Sequence, residues 1–280
     1  MAYGIKDGKL LDDSVLVDQI PSPYCGSNFA TNPKIVVIHF TAGGSARSSA
    51  EWFRHPANPG SSAHIVIDRD GSIIQCVSFK KIAWHAGRSR WKALTGMNQH
   101  AYGIELANWG NLKSAGSGWT SSTGVRIDEP VLAAHRNGNP NGVGRAIGWE
   151  PYPEKQFVAA GAVVRSLVEN HGVTEIVGHD DIAPTRKWDP GPAFDLVKFR
   201  TLVFGDRRDD GDNIVTVRAA GGLNLRAGPG THFAALELLP NRTSLVPTGT
   251  DGRWIEVNVL AANGSARATG WVHGSFVSTD

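Results

Sequence analysis

The stretch Gly205-Asp-Arg-Arg-Asp-Asp-Gly-Asp212 constrains the fold of this chain more than any other. It offers nothing apolar to bury, so no core can run through it, and it reads as a linker. Before it, apolar runs of strand length alternate with helical patterns. After it come only short strands separated by turn residues. Two units are therefore expected: an α/β unit with a mixed central sheet flanked by helices over residues 1–204, and a small all-β barrel over residues 213–280, with 205–212 between them.

Within the first unit, Lys34-Ile-Val-Val-Ile-His-Phe40 fits a buried strand. Ser48 and Glu51 form a capping-box pattern that predicts a short helix through Trp52 and Phe53. Ala63–Arg69 and Ser72–Val77 flank Asp70-Gly71, a hairpin signal because glycine tolerates the positive φ of a tight turn. Tyr102–Ala107 is a further strand. The Gly-, Asn- and Ser-rich stretch from Asn108 to Trp149 reads as a long surface excursion with one short helix near Pro130–His135. Phe157, Ala160, Val164, Leu167 and Val168 then share one face of a helix over Glu154–His171, ended by Gly172, and a strand over Thr174–Val177 leads into Gly178-His179.

Composition excludes several classes. The formal net charge of +2 is too small to argue for nucleic acid, yet it leaves the chain free to approach an anionic polymer. No apolar run is long enough to span a bilayer, so no membrane partner is expected. The two cysteines, Cys25 and Cys76, make neither a disulfide framework nor a cysteine-rich metal module; two buried thiols are expected, with a single disulfide as the alternative. The N-terminus has no basic region followed by an apolar one, so it predicts a chain made in the cytoplasm without a signal peptide. A monomer is expected.

His39 and His179 fall at the ends of predicted strands, and Asp189 follows ten residues after the second histidine. Two imidazoles and a carboxylate make a three-ligand set that leaves zinc a fourth position for water. By spacing alone, in a chain with ten histidines, two satisfied half-buried histidines and a turn aspartate are the more ordinary reading.

Five blocks occur in order: Val36-Val-Ile-His-Phe-Thr-Ala42, Ser62-Ala-His-Ile-Val-Ile-Asp-Arg-Asp-Gly71, Ala83-Trp-His-Ala-Gly87, Tyr102-Gly-Ile-Glu105 and Gly178–Pro192. Over Pro33–Phe194 the chain resembles the zinc-dependent N-acetylmuramoyl-L-alanine amidases, which include phage T7-type lysozymes, muropeptide-recycling amidases and peptidoglycan recognition proteins. The last block is most similar to the recycling branch. The resemblance implies a peptidoglycan amidase fold, zinc held by His39, His179 and Asp189, and peptidoglycan or muropeptides as substrate. It also implies that Lys187 stabilises the oxyanion and that Glu105 serves the attacking water. Trp84 and His85 read as groove wall that touches substrate. His64 reads as either a substrate contact or a buried, hydrogen-bonded residue, and His55, His100, His135 and His171 read as ordinary surface histidines. Trp109, Trp119 and Trp149 are candidate sugar platforms on the excursion.

Beyond the linker, Leu223-Asn-Leu-Arg-Ala-Gly-Pro-Gly-Thr231, Gly252-Arg-Trp-Ile-Glu-Val257 and Gly270-Trp-Val-His273 resemble the bacterial SH3 domain, a fold commonly used to bind cell wall. Trp254 and Trp271 are expected to plug its barrel. An endolysin that reaches the wall after release is the favoured role, with a cytoplasmic muropeptide-recycling amidase as the alternative. A non-catalytic peptidoglycan receptor is disfavoured because all three ligand positions are kept. A glycosidase, which works with paired carboxylates, leaves Glu105 without a partner and the histidines unused.

Overall fold

The structure, a computed structural model, describes residues 3–205, 214–260 and 266–278, leaving out 117, 141 and 143. Apart from Gly205, the linker expected over 205–212 lies outside the described residues. The chain divides into two compact units, Met1–Val203 and Phe204–Asp280.

The first unit is built on a sheet of six strands: β1 (Asp18–Gln19), β2 (Ile35–Phe40), β3 (Ile65–Ile67), β4 (Ile73–Gln75), β5 (Ala101–Leu106) and β6 (Glu175–Gly178). Their order is β6-β2-β5-β3-β4-β1. β6, β2, β5 and β3 run parallel, and only the β3–β4 hairpin at Asp70-Gly71 is antiparallel. Parallel strands buried on both faces must be apolar throughout, which is why Ile35–Ile38 reads as a continuous apolar run. Their carboxyl ends all lie along one edge, the edge where open α/β sheets place their ligands.

Helix α1 (Ala46–Arg54) starts one turn earlier than Ser48 predicts. Ser45 is the N-cap: its backbone is extended and its hydroxyl accepts the Ser48 N–H, so Ser48 is already the third helical residue. Helix α2 (Glu154–His171) has the expected bounds, and Gly172 closes it in the left-handed region at φ 68°. Its buried residues exceed a single stripe because a second helix covers it. The Phe199 ring of α4 (Leu196–Phe204) packs on Phe157, and Leu202 lies over Gly161. The short α3 (His179–Ile182) continues directly from β6.

The Asn108–Trp149 excursion is more structured than its composition suggests. Lys113–Ala115, Gly118–Thr120 and Arg126–Ile127 form a small antiparallel sheet. Val131–Ala133, expected to be helical, is instead a strand paired with Ile147–Trp149. Val131 is β-branched, which suits an extended backbone, and the distant partner strand decides the matter. An N-terminal sheet of Tyr3–Lys6, Lys9–Asp12 and Val15–Leu16 carried no signal in the sequence reading. No helix among the described residues is long and apolar enough to cross a membrane.

The second unit is all-β: β7 (Val215–Val217), β8 (Leu223–Arg226), β9 (Ala235–Leu239), β10 (Ser244–Asp251), β11 (Trp254–Leu260), β12 (Ala266–His273) and β13 (Val277–Ser278), ordered β9-β8-β12-β11-β10-β7-β13. Its core is aliphatic, built from Val215, Val217, Leu223, Leu225, Leu239, Leu245, Val257, Val259 and Val272. Trp254 and Trp271 do not plug it; both are half-buried. Side chains alternate along a strand. Val257 and Val259 therefore face inward on β11 while Trp254 faces out, and Val272 faces inward on β12 while Trp271 faces out.

Candidate metal centre and active site

Register places the first two site residues. β2 and β5 are paired so that Ile35, Val37 and His39 stand beside Ala101, Gly103 and Glu105. Paired residues of parallel strands project to the same face, so His39 and Glu105 emerge together at the carboxyl edge, on the face whose interior is Ile35, Val37, Ala86, Met97, Ala101, Val177 and Ile182. His179 follows β6, the other neighbour of β2, and Asp189 returns on the loop after α3, where the Asp180 N–H donates to the Asp189 carbonyl at 2.8 Å.

His39, His179 and Asp189 converge. His39 Nδ1 lies 2.8 Å from His179 Nδ1 and 2.9 Å from Asp189 Oδ2, and His179 Nδ1 lies 2.8 Å from the same oxygen. All three residues are buried. The hydrogen bonds on their far sides fix the tautomers. His85 Nε2 is 3.2 Å from the Ala101 carbonyl, which can only accept, so a neutral His85 carries its proton there and accepts at Nδ1. The donor to that nitrogen is His39 Nε2, 3.0 Å away, which leaves His39 Nδ1 bare. His179 Nε2 likewise donates to the Ala86 carbonyl at 3.1 Å, and a neutral His179 is then bare at Nδ1.

The result is two imidazole lone pairs and a carboxylate oxygen facing one another with no proton among them. Burial pushes His39 down to about 4, the neighbouring His179 adds to this, and Asp189 only partly opposes it, so His39 stays neutral at physiological pH. Burial disfavours the Asp189 carboxylate, and its charge is held only where positive charge stands beside it. Three mutually repelling acceptors in a buried pocket are stabilised by a shared cation, and a His-His-carboxylate set fits zinc in both donor type and number.

Glu105 stands beside this centre. Its Oε2 is buried with no hydrogen-bond partner among the described residues. Burial pushes its carboxyl up to about 8, with the Asp189 charge adding and Lys187 opposing. Lys187 is half-buried two residues before Asp189, close enough for its charge to act on both Glu105 and His39.

Two residues expected to touch substrate do something else. His64 is fully buried; its Nδ1 accepts the Gly103 N–H at 3.0 Å and its Nε2 donates to the Lys81 carbonyl at 3.0 Å. His85 spends both ring nitrogens on His39 and Ala101, so it sets the His39 tautomer rather than walling a groove. A Cβ at Gly103 would collide with the His85 ring, so glycine is required at that point of β5. Trp84, 39% exposed, is free to face a ligand. Trp149 is 1% exposed with its indole N–H on the Ala133 carbonyl, and is core rather than a sugar platform. His135 is not a surface residue: it is 4% exposed and its Nε2 lies 3.0 Å from Asp180 Oδ2. Nothing in its local sequence distinguished it.

An α/β sheet that gathers two imidazoles, two carboxylates and a lysine at its carboxyl edge, in a chain that also carries an SH3-like unit, defines a peptidoglycan hydrolase. Residues 29–192 match the N-acetylmuramoyl-L-alanine amidase family, and the chain belongs to it; residues 221–278 match the bacterial SH3 domain. The chain is 30% identical over 216 residues to the 1,6-anhydro-N-acetylmuramyl-L-alanine amidase AmpD of Escherichia coli K12, covering 69% of this chain and 97% of AmpD. It is 28% identical over 170 residues to the N-acetylmuramoyl-L-alanine amidase AmiD of the same organism, covering 58% of this chain and 50% of AmiD. A crystal structure of a selenomethionine AmpD derivative superposes with a TM-score of 0.50 at 27% identity, over 71% of this chain and 98% of that one. The protein is thus an amidase that hydrolyses the amide between N-acetylmuramic acid and L-alanine. These relatives favour the recycling alternative over the endolysin role expected from the sequence.

Proposed function

We propose that this chain is a zinc amidase that releases peptide from 1,6-anhydro-N-acetylmuramyl-L-alanine compounds, the substrate class named for AmpD. The observation that carries the metal is the convergence of His39 Nδ1, His179 Nδ1 and Asp189 Oδ2 as three unprotonated acceptors. The substrate class rests on the near-complete coverage of AmpD.

His39, His179 and Asp189 would hold the zinc ion, which would supply a Lewis acid for the scissile carbonyl and for the attacking water. His85 keeps the His39 proton on Nε2, so that Nδ1 remains a ligand. Glu105, uncharged or charged with little cost near neutral pH, accepts the proton of the attacking water and returns it to the leaving amine of L-alanine. The Lys187 ammonium faces the oxygen on which negative charge develops.

Hydrolysis of intact wall is a second reading, and one observation favours it: the SH3 match at 221–278 lies beyond the amidase match at 29–192. Mass spectrometry of digests separates the two. Soluble anhydro-muropeptides are expected to be cut faster than purified sacculi, with new L-alanine amino termini and no new reducing sugars. Rapid solubilisation of sacculi with anhydro-muropeptides left intact would reverse the assignment.

A further inference from the structure

The segment His135–Gly138, far from the metal ligands in sequence, is fastened to both sides of them. His135 Nδ1 accepts the Asn137 N–H at 3.0 Å, so its proton sits on Nε2, 3.0 Å from Asp180 Oδ2. Arg136 Nη2 spans Asp180 at 2.8 Å and Asp181 at 2.6 Å. The Asn137 amide donates to the Asp180 carbonyl at 2.9 Å, and the Trp188 indole N–H donates to the Gly138 carbonyl at 2.9 Å. The strap therefore grips the residues next to His179 on one side and the residue before Asp189 on the other. The anchor is buried: His135 is 4% exposed and Asp180 5%. A buried carboxylate with an imidazole N–H and a guanidinium on it is a costly arrangement to leave half-made, so it fixes one geometry.

We infer that His135 and Asp180 are positioning residues for the metal centre: through the strap they hold His179 and Asp189 at the separation that binds zinc. This rests on the proposed metal-binding reading of His39, His179 and Asp189. His179 and Asp189, joined through α3, the loop after it and the Asp180 N–H on the Asp189 carbonyl, still reach the metal geometry at an entropic cost, and the strap lowers that cost in advance. It also gives the excursion a function that its Gly- and Asn-rich composition hides.

The test is zinc affinity in the full-length protein, measured by competition with a chromophoric chelator and needing no substrate. His135→Ala is expected to weaken zinc binding about ten- to a hundredfold, the range for partners behind metal ligands. His135→Gln, whose amide can donate from the position of Nε2, is expected to recover most of it. Arg136→Met, at a side chain that is half exposed, is expected to fold normally and weaken zinc several-fold. Val164→Ala, a core truncation in α2, is the control for general loosening and should leave affinity unchanged. Unchanged affinity in both His135→Ala and Arg136→Met, or an equal loss in the α2 control, overturns the inference while leaving the metal centre standing. A wild-type protein that takes up no zinc overturns both.

Discussion

Glu105 and His39 are register partners on neighbouring parallel strands, and their side chains leave the sheet side by side on one face. The pairing joins a carboxyl with a raised proton affinity to an imidazole whose free nitrogen looks into a three-acceptor centre. Neither residue builds the site alone; the sheet's register does.

Metal removal gives the most direct prediction. Dialysis against a strong chelator is expected to abolish hydrolysis, and zinc to restore it. His179→Ala should bind zinc too weakly for recovery in a stoichiometric complex, because two ligands hold the ion poorly. Elemental analysis and activity on the same samples check this, and full activity without metal contradicts it.

Glu105→Gln and Lys187→Ala should retain zinc yet lower kcat about a hundredfold or more. Glu105→Gln has a second signature in the metal-free protein. A carboxyl whose pKa is raised to about 8 in the fold ionises more readily when unfolded, so it costs stability as pH rises from about 4.5 to about 8. The glutamine variant is then more stable than the parent at pH 8, by a few kcal/mol at most on the order of the shift, and the difference shrinks below pH 5. Urea melts across this range measure it; a glutamine variant less stable at every pH would rule it out.

His64 sets an acid limit on stability. Burial lowers it to about 4, against the ordinary 6.5. Between these values the unfolded chain takes up a proton that the folded one refuses, so stability falls as pH drops from about 6.5 to about 4, by about 3 kcal/mol for this one group. His64→Gln should lower stability at pH 7 but flatten that part of the profile. An equally steep profile in the variant would assign the slope to other groups.

The SH3-type unit is expected to act on localisation rather than chemistry. Deleting residues 206–280 should leave cleavage of a small soluble muropeptide nearly unchanged, because the first unit carries every site residue and its own core. Co-sedimentation with sacculi should weaken, since a tether raises the local concentration of a polymeric substrate. Equal sedimentation with and without the unit would exclude a wall-binding role.

Much of the sheet was legible. Ile35–Phe40, Ala101–Leu106 and the Asp70-Gly71 hairpin carry their own apolar runs and turn chemistry, and α2 carries a helical period with a glycine stop. What escaped was decided at a distance. Val131–Ala133 is a strand because Ile147–Trp149 pairs with it, and the N-terminal hairpin is held by contacts such as the Leu10 N–H to Gln75 Oε1 at 2.9 Å. The ordered motifs singled out His39, His179, Asp189, Glu105 and Lys187 together, but not the services of the other histidines. His64 and His85 sit in motifs that look like groove residues, and only their hydrogen-bond partners show that one braces the sheet and the other sets a tautomer.

By itself the sequence determined the apolar strands at the centre of the sheet, the long helix, the change of pattern after the linker and the residue types available for chemistry, because hydrophobic period and turn residues act over a few positions along the chain. The tertiary structure alone decided that His39 and Asp189, 150 residues apart, would share one point in space. It also decided that His135 would be buried against Asp180, and that Trp254 and Trp271 would face outward. Proximity between distant residues and the face a side chain takes depend on strand register and partner choice, and those are settled by the packing of the whole unit.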